Sequence, residues 1–395
     1  MTPLFGATPV KHDLDRRQLL RQLAGSGVAL VSAFSAPLSA GASTSEHPAL
    51  RRGINLTHWF EYEQGQVVSA GEMRMLRQSG MDHVRIPVDP VVGGWRPEVG
   101  AILRFLPALR LAVEQALGAG LDVVLDLHLE PATKQQIEND TATEATLLAL
   151  WSQLARAFTY LPVGRVAFEL FNEPQYYGWR ALRWPALQLR LLQALRTQAP
   201  RHLVLLSGNE GGSLKGLSQL PLVRDAAVAY VFHYYDPFLF THQGAHWLDT
   251  RYTTAGLYRG VRYPAQFQAA GSARLNQPHP RAAQEIAQYL KDDWGPQRVR
   301  ADLDVAGRFA KTHGVRVLCN EFGVIRAHVD VPSRYRWMMD VRSALEANGL
   351  GWTLWDYTDI FGITAESSQL HKTGMRTLEP EAVRALGLMP ASAVQ

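Results

Sequence analysis

Short apolar segments alternate with stretches of helical spacing along most of this chain. Strand-like segments fall at residues 53–56, 83–87 and 121–128, then from Val166 to a stop at Pro174, and again at 202–206, 227–233, 315–319 and 351–355. Helical periodicity covers residues 70–80, 101–119, 143–160, 181–198, 282–291, 300–312, 333–347 and 379–386. Bulky apolar runs such as Val166-Ala167-Phe168 suit strands buried on both faces of a parallel sheet. Eight strands, each followed by a helical stretch, predict an α/β fold, a (β/α)8 TIM barrel over residues 51–395. A doubly wound open sheet would place a glycine-rich phosphate loop after its first strand, and none is there. No repeat of 20–50 residues points to a solenoid. Roughly eighty residues separate the sixth and seventh strands, too many for a plain loop, and they predict a helical excursion over the barrel mouth.

The N-terminus has a different pattern. Asp15-Arg16-Arg17-Gln18-Leu19-Leu20-Arg21 precedes an apolar run over residues 23–36, and Ala40-Gly41-Ala42 offers a small-residue cleavage site. This order fits an export signal, and the paired arginines point to the twin-arginine route. A membrane anchor is the alternative, but the run is short and rich in Gly, Ser and Ala. Residues 1–42 therefore read as a twin-arginine-type signal peptide and 43–50 as a linker. The expected location is the periplasm or the medium, with no stable membrane span.

Composition adds little to this and removes some options. With 47% hydrophobic and 19% charged residues in 395, the chain is an ordinary globular protein. Half of its net charge of +4 sits in the first 42 residues, where Lys11, Arg16, Arg17 and Arg21 face only Asp13 and Asp15. So small a surplus gives no reason to expect a nucleic-acid partner. The single cysteine, Cys319, cannot form an internal disulfide and reads as a buried, inert thiol.

The chemistry collects at the strand ends. Asn172-Glu173-Pro174 closes one apolar strand, and Asn320-Glu321-Phe322-Gly323 closes another. A lone strand-end glutamate more often faces solvent. Two of the same design imply an acid–base pair facing each other across one pocket. Arg85, His128, His233, Tyr235 and Trp355 end further strands, and barrel active sites lie at that C-terminal face. Singly, Arg85 or His128 is more often a structural hydrogen-bonder, and His233 reads equally as a core histidine. Six strands contributing such ends together single out the face. The first strand lacks a His-x-His pair, so no metal is expected, and no cofactor. Trp59, Phe60, Tyr62, Trp95, Tyr176, Tyr177, Trp179, Tyr234, Phe238, Trp247 and Tyr357 crowd the predicted mouth, about half of them as packing only.

Taken in order, these motifs resemble glycoside hydrolase family 5, the cellulase-type retaining β-glycosidases, over residues 53–361. The resemblance implies that Glu173 is the acid/base and Glu321 the nucleophile. It implies that Arg85 and Tyr235 hold Glu321 ionised and that Glu173 keeps its proton near neutrality. Asn172 would bond the sugar 2-hydroxyl, His128 and His233 would frame the reacting sugar, and Trp355 would form its floor. His58, Trp59 and Trp247 are possible subsite residues, and residues 238–247 resemble a stretch of a bacterial subset of the family. The implied activity is foremost an endo-β-1,4-glucanase on a polysaccharide or oligosaccharide, acting as a monomer. The alternatives are a β-mannanase, a β-1,3-glucanase or transglycosylase of the same family, or a catalytically inactive carbohydrate-binding barrel.

Overall fold

Eight parallel strands close on themselves: β1 (Arg52–Asn55), β2 (His83–Val88), β3 (Asp122–Leu127), β4 (Val166–Glu169), β5 (Leu203–Ser207), β6 (Val228–His233), β7 (Arg316–Glu321) and β8 (Gly351–Leu354). Each pairs with the next in sequence, and β8 pairs with β1. The computed structural model describes residues 46–61, 67–90, 102–248, 250, 253–268, 273–365 and 375–390. The proposed signal, residues 43–45 of the linker, Tyr62 and Trp95 lie outside these. No described helix is long and apolar enough to cross a membrane.

The (β/α)8 expectation is met, with differences at the edges. The helix expected from residue 300 begins earlier, as Pro296–His313, because Gly295-Pro296 starts it: proline suits the first helical position, where its missing N–H is not needed. It ends at Gly314, whose φ of 63° is the left-handed conformation that terminates helices. The helix Ala70–Gln78 starts in a capping box, Ser69 and Glu72 satisfying each other's backbone N–H groups. A helix at Pro131–Asn139 follows β3 where none was expected. The excursion after β6 is less helical than expected. It holds a four-residue helix at Phe238–Thr241, an antiparallel ribbon pairing Tyr258–Arg259 with Arg274–Leu275, and the helix Ala282–Lys291.

Alternation along the strands separates two cores. Val84, Ile86, Val123, Leu125, Phe168, Val204, Tyr230 and Cys319 face outward and pack in the large cluster with the helices. Val124, Ala167, Leu203, Leu205, Ala229, Val231 and Leu318 form a second, separate apolar cluster inside the barrel. Inward positions therefore run 83 and 85 on β2, 124 and 126 on β3, 167 and 169 on β4. His83 lies across the interior, donating or accepting at Thr353 Oγ1 over 2.8 Å. Gly53 permits this, since a Cβ there would stand 2.2 Å from the His83 ring. Cys319 is wholly buried, and burial pushes its thiol up, as an inert cysteine requires.

Candidate active site

Arg85 is wholly buried on the inward face of β2 and forms the hub of the site. Its Nη1 donates to Glu321 Oε1 at 2.7 Å and to Asn55 Oδ1 at 2.9 Å. Nε and Nη2 donate to the two oxygens of Glu169 at 2.7 and 2.9 Å. Nη2 also meets Asn172 Oδ1 and Asp126 Oδ2, each at 2.9 Å. Burial works against the arginine's charge, but Asp126, Glu169 and Glu321 more than offset it and raise its pKa well above the usual value. Among these carboxyls, burial pushes Asp126 up to about 7 despite Arg85, and pushes Glu169 up as well.

Glu321 reaches the interior through an irregularity. Phe232 pairs with Cys319 but His233 pairs with Glu321, so β7 carries one extra residue here. This β-bulge lets consecutive residues both face inward. Asn320 Nδ2 donates to Glu169 Oε2 at 2.8 Å, while Glu321 Oε2 accepts from the Tyr235 hydroxyl at 3.0 Å. Gly323 follows because a Cβ there would lie 2.0 Å from the Trp355 carbonyl oxygen.

Glu173 stands opposite, with a φ of 46° that only a well-determined setting imposes on a non-glycine residue. The setting is present: Pro174 O accepts from Gly211 N at 3.0 Å, and Gln175 N donates to Glu138 Oε1 at 2.8 Å. Glu173 Oε1 lies 2.9 Å from His233 Nδ1, which is also 3.3 Å from Glu321 Oε2. One oxygen of each glutamate and the imidazole nitrogen all fall within 4.8 Å of one another. Such donors can also ligate a metal. Here both Glu321 oxygens are already bonded by Arg85 and Tyr235, and His233 lies between the two carboxylates, an arrangement suited to sharing a proton.

The groups around this pair push in the opposite direction from the sequence expectation. Burial pushes Glu173 up, but the His233 hydrogen bond and charge, with Lys134 behind, hold it well below the usual carboxylate range. Burial pushes His233 down, and Glu321 and Glu173 more than restore it, so its pKa is raised. The expectation counted only the anionic neighbour Glu321. It left out the histidine beside Glu173, whose hydrogen bond and charge favour the ionised carboxyl.

His128 is oriented by its neighbours. Asn172 turns its oxygen to Arg85, so its Nδ2 donates to His128 Nε2 at 3.1 Å. Nδ1–H of His128 then donates to Asp126 Oδ2 at 2.8 Å. Burial pushes its pKa down, in keeping with this neutral form. Its ring stacks on Trp355 at 5.3 Å and 20°. Glu61, also wholly buried, brings Oε2 to 3.6 Å from His128 Nε2.

Three buried tryptophans on the surrounding helices grip the backbone beneath these side chains. Trp151 Nε1 donates to Leu170 O at 2.8 Å, Trp184 to Ser207 O at 2.9 Å and Trp337 to Asp236 O at 3.1 Å. The strand ends are thereby tied to the outer helices.

All eight principal residues expected from the sequence (Arg85, His128, Asn172, Glu173, His233, Tyr235, Glu321 and Trp355) converge here. The three possible subsite residues stand outside the pair. His58 lies 3.2 Å from Asp359, Trp59 stacks on Phe60 at 5.1 Å, and half-exposed Trp247 meets His246 edge-on at 5.3 Å. Of the expected mouth aromatics, Phe60, Tyr176, Tyr234 and Tyr357 are buried, whereas Tyr177, Trp179, Phe238 and Trp247 are exposed. Sequence reasoning passed over Asn55, Glu61, Asp126, Glu169 and Asn320. Four of them shared a readable signal: each is polar at the inward parity of an apolar strand.

Comparison with known proteins adds an independent line. A model of the family described as cellulase (glycosyl hydrolase family 5) matches residues 43–360. Endoglucanase C of Acetivibrio thermocellus is 28% identical over 323 residues, covering 78% of this chain and 91% of that protein. Two structures of Cel5A from Thermotoga maritima share the fold. The one in complex with mannotriose superimposes with a TM-score of 0.69 at 23% identity, over 86% of this chain and 98% of that one. The one in complex with cellobiose gives 0.67 at 23%, with the same coverage.

Proposed function

The chain belongs to glycosyl hydrolase family 5 and is a glycoside hydrolase, and from that premise we propose that it cleaves β-1,4-linked glucan with retention of configuration, Glu321 acting as nucleophile and Glu173 as acid/base. The observation that carries this reading is the approach of the two glutamates, whose nearest oxygens lie within 4.8 Å. Carboxyls about 5–5.5 Å apart suit double displacement, whereas inversion needs roughly 6.5–9.5 Å to admit a water.

Each step has a residue to perform it. Arg85 and Tyr235 hold the Glu321 carboxylate by hydrogen bonds and aim it at the anomeric carbon. The proton for the leaving oxygen resides in the Glu173–His233 pair. A sugar that excludes water disfavours the charged form of that pair, and the proton passes over 2.9 Å from Nδ1 to Oε1 of Glu173. Glu173 delivers it to the departing oxygen as the Glu321 ester forms. Ionised again, Glu173 takes a proton from water, which attacks the ester and frees Glu321. Asn172 has one amide hydrogen turned to His128 and a second for the sugar 2-hydroxyl.

The names of relatives support glucan as substrate: endoglucanase C, and cellodextrinase A of Ruminococcus flavefaciens. β-Mannan is the second reading, favoured by the mannotriose complex of the Thermotoga protein. A panel of β-1,4-glucan, β-1,4-mannan and β-1,3-glucan separates these. Proton NMR of the first product should find the β-anomer before mutarotation, and an initial α-anomer would overturn retention. We also infer export by the twin-arginine route. Replacing Arg16 and Arg17 with lysine should leave the precursor unprocessed, and efficient processing would reject that route.

A further inference from the structure

Beyond the end of β4 the chain runs on as an irregular segment, residues 171–176, beside the continuation of β5. Glu173 lies in the middle of it, in the left-handed region, a conformation that the surroundings have to impose. Here side chains take over from the backbone ladder. Ser207 Oγ donates to Phe171 O at 2.8 Å. The Asn209 amide then grips both polar groups of one residue: its Oδ1 accepts from Tyr176 N at 2.8 Å, and its Nδ2 donates to Tyr176 O at 2.7 Å. Gly211 N completes the series at Pro174 O, 3.0 Å away.

Asn209 suits this place by chemistry and not by bulk. A side-chain amide offers a donor and an acceptor side by side, as a peptide unit does. Its orientation is forced, with the oxygen toward an N–H and the nitrogen toward a carbonyl. Packing accounts for the ring of Tyr176, which is buried and stacks on Trp184 at 5.7 Å and 28°. It does not account for a two-point hold on the main chain. The clamp has its own anchor, since Asn209 O lies so close to Gly216 that a Cβ there would stand 2.0 Å from it. On the other flank Glu138 Oε1 accepts from Gln175 N at 2.8 Å, and ahead of Glu173 the N–H of Asn172 donates to Leu127 O at 2.9 Å. Glu173 is thus fixed from both sides. Its turn cannot relax without breaking one of these bonds, and its Oε1 stays 2.9 Å from His233 Nδ1.

We propose that Asn209 is a positioning residue for the acid/base: its hold on Tyr176 fixes the turn at Glu173, and with it the point from which the proton reaches the leaving oxygen. This rests on the acid/base reading above. The test compares kcat/KM on phenyl β-cellobioside, whose leaving group needs that proton, with kcat/KM on dinitrophenyl β-cellobioside, whose leaving group does not. Asn209→Leu keeps the approximate size and removes both hydrogen bonds. The ratio of phenyl to dinitrophenyl should fall on the order of tenfold, because a displaced acid costs most where a proton is required. Asn209→Asp covers the case in which Asn209→Leu does not fold. Its carboxylate can only accept, whereas its protonated form both accepts and donates, so its ratio relative to wild type should recover as pH falls. Equal losses on both substrates, an unchanged ratio in folded variants, or an aspartate variant with no such recovery overturns the proposal. Glu173→Ala tests the underlying reading and should lower the ratio further than either variant. Equal losses in Glu173→Ala overturn the acid/base assignment, and this inference with it. A wild-type enzyme that cleaves neither cellobioside overturns the glucan reading alone, and the corresponding mannobiosides then carry the same comparison.

Discussion

The same strands carry two sets of inward residues held together by opposite means. Val124, Ala167, Leu203, Ala229, Val231 and Leu318 meet through hydrocarbon alone. Two residues further along β3, β4 and β7, Asp126, Glu169 and Asn320 meet Arg85 or one another through charge and hydrogen bonds. The apolar set stabilises the barrel, each fully buried Leu or Val contributing about 1.5–3 kcal/mol. The polar set works against it, with three buried carboxyls around one guanidinium. What the second set provides is placement. Arg85 touches Glu321 and Asn172 directly, so desolvated charge fixes where the nucleophile and the amide stand.

The largest effect should come from removing the hub. Arg85→Met strands three carboxyls without their cation and should destabilise the fold by roughly 3–5 kcal/mol. Activity should fall along with it. Chemical denaturation checks the first and kinetics on the folded fraction the second. An equally stable, active variant would dissolve the contrast between the two sets. Leu203→Ala, in the apolar set, should cost about 3 kcal/mol through the cavity it leaves. Its kcat/KM per folded molecule should match wild type, and a clear loss of kcat would mean that the apolar set also positions the chemistry.

The smallest effect is a shift in a pH profile. His233 has a raised pKa and Glu173 a lowered one, so the pair binds its shared proton until pH climbs through the raised value. Activity should therefore fall on the alkaline side as that proton leaves. In His233→Asn only a carboxyl holds the proton, and the alkaline limb should move to lower pH. An unmoved limb would separate His233 from the proton supply. The stability linkage has matching signs. The Glu173 contribution is present above its unfolded pKa and fades as pH falls, while that of His233 is present below its own and fades as pH rises.

Strand and helix positions were legible because burial imposes period on sequence, and the polar strand ends stood out against apolar runs. The residues behind them were harder to read. Glu169 sits inside Val166-Ala167-Phe168-Glu169-Leu170, where only inward parity, fixed by the closed barrel, distinguishes it from a solvent-facing acid. Asn320 faces inward beside Glu321 only through a bulge, and a register shift leaves no mark in composition. The excursion was misjudged for a similar reason. Short turns and a two-residue ribbon carry too little period to be seen.

The central claim, that Glu321 attacks and Glu173 transfers the proton, is tested most directly by chemical rescue. Glu173→Ala should still form the glycosyl ester from an activated aryl β-glycoside, whose leaving group needs no proton, and then stall for want of a base. Azide should restore turnover, and the product should be the β-glycosyl azide, because two inversions at the anomeric carbon give retention. In Glu321→Ala azide should instead replace the missing nucleophile and yield the α-azide. An α-azide from Glu173→Ala would contradict the account, since it would mean a single displacement, or the two glutamates in exchanged roles.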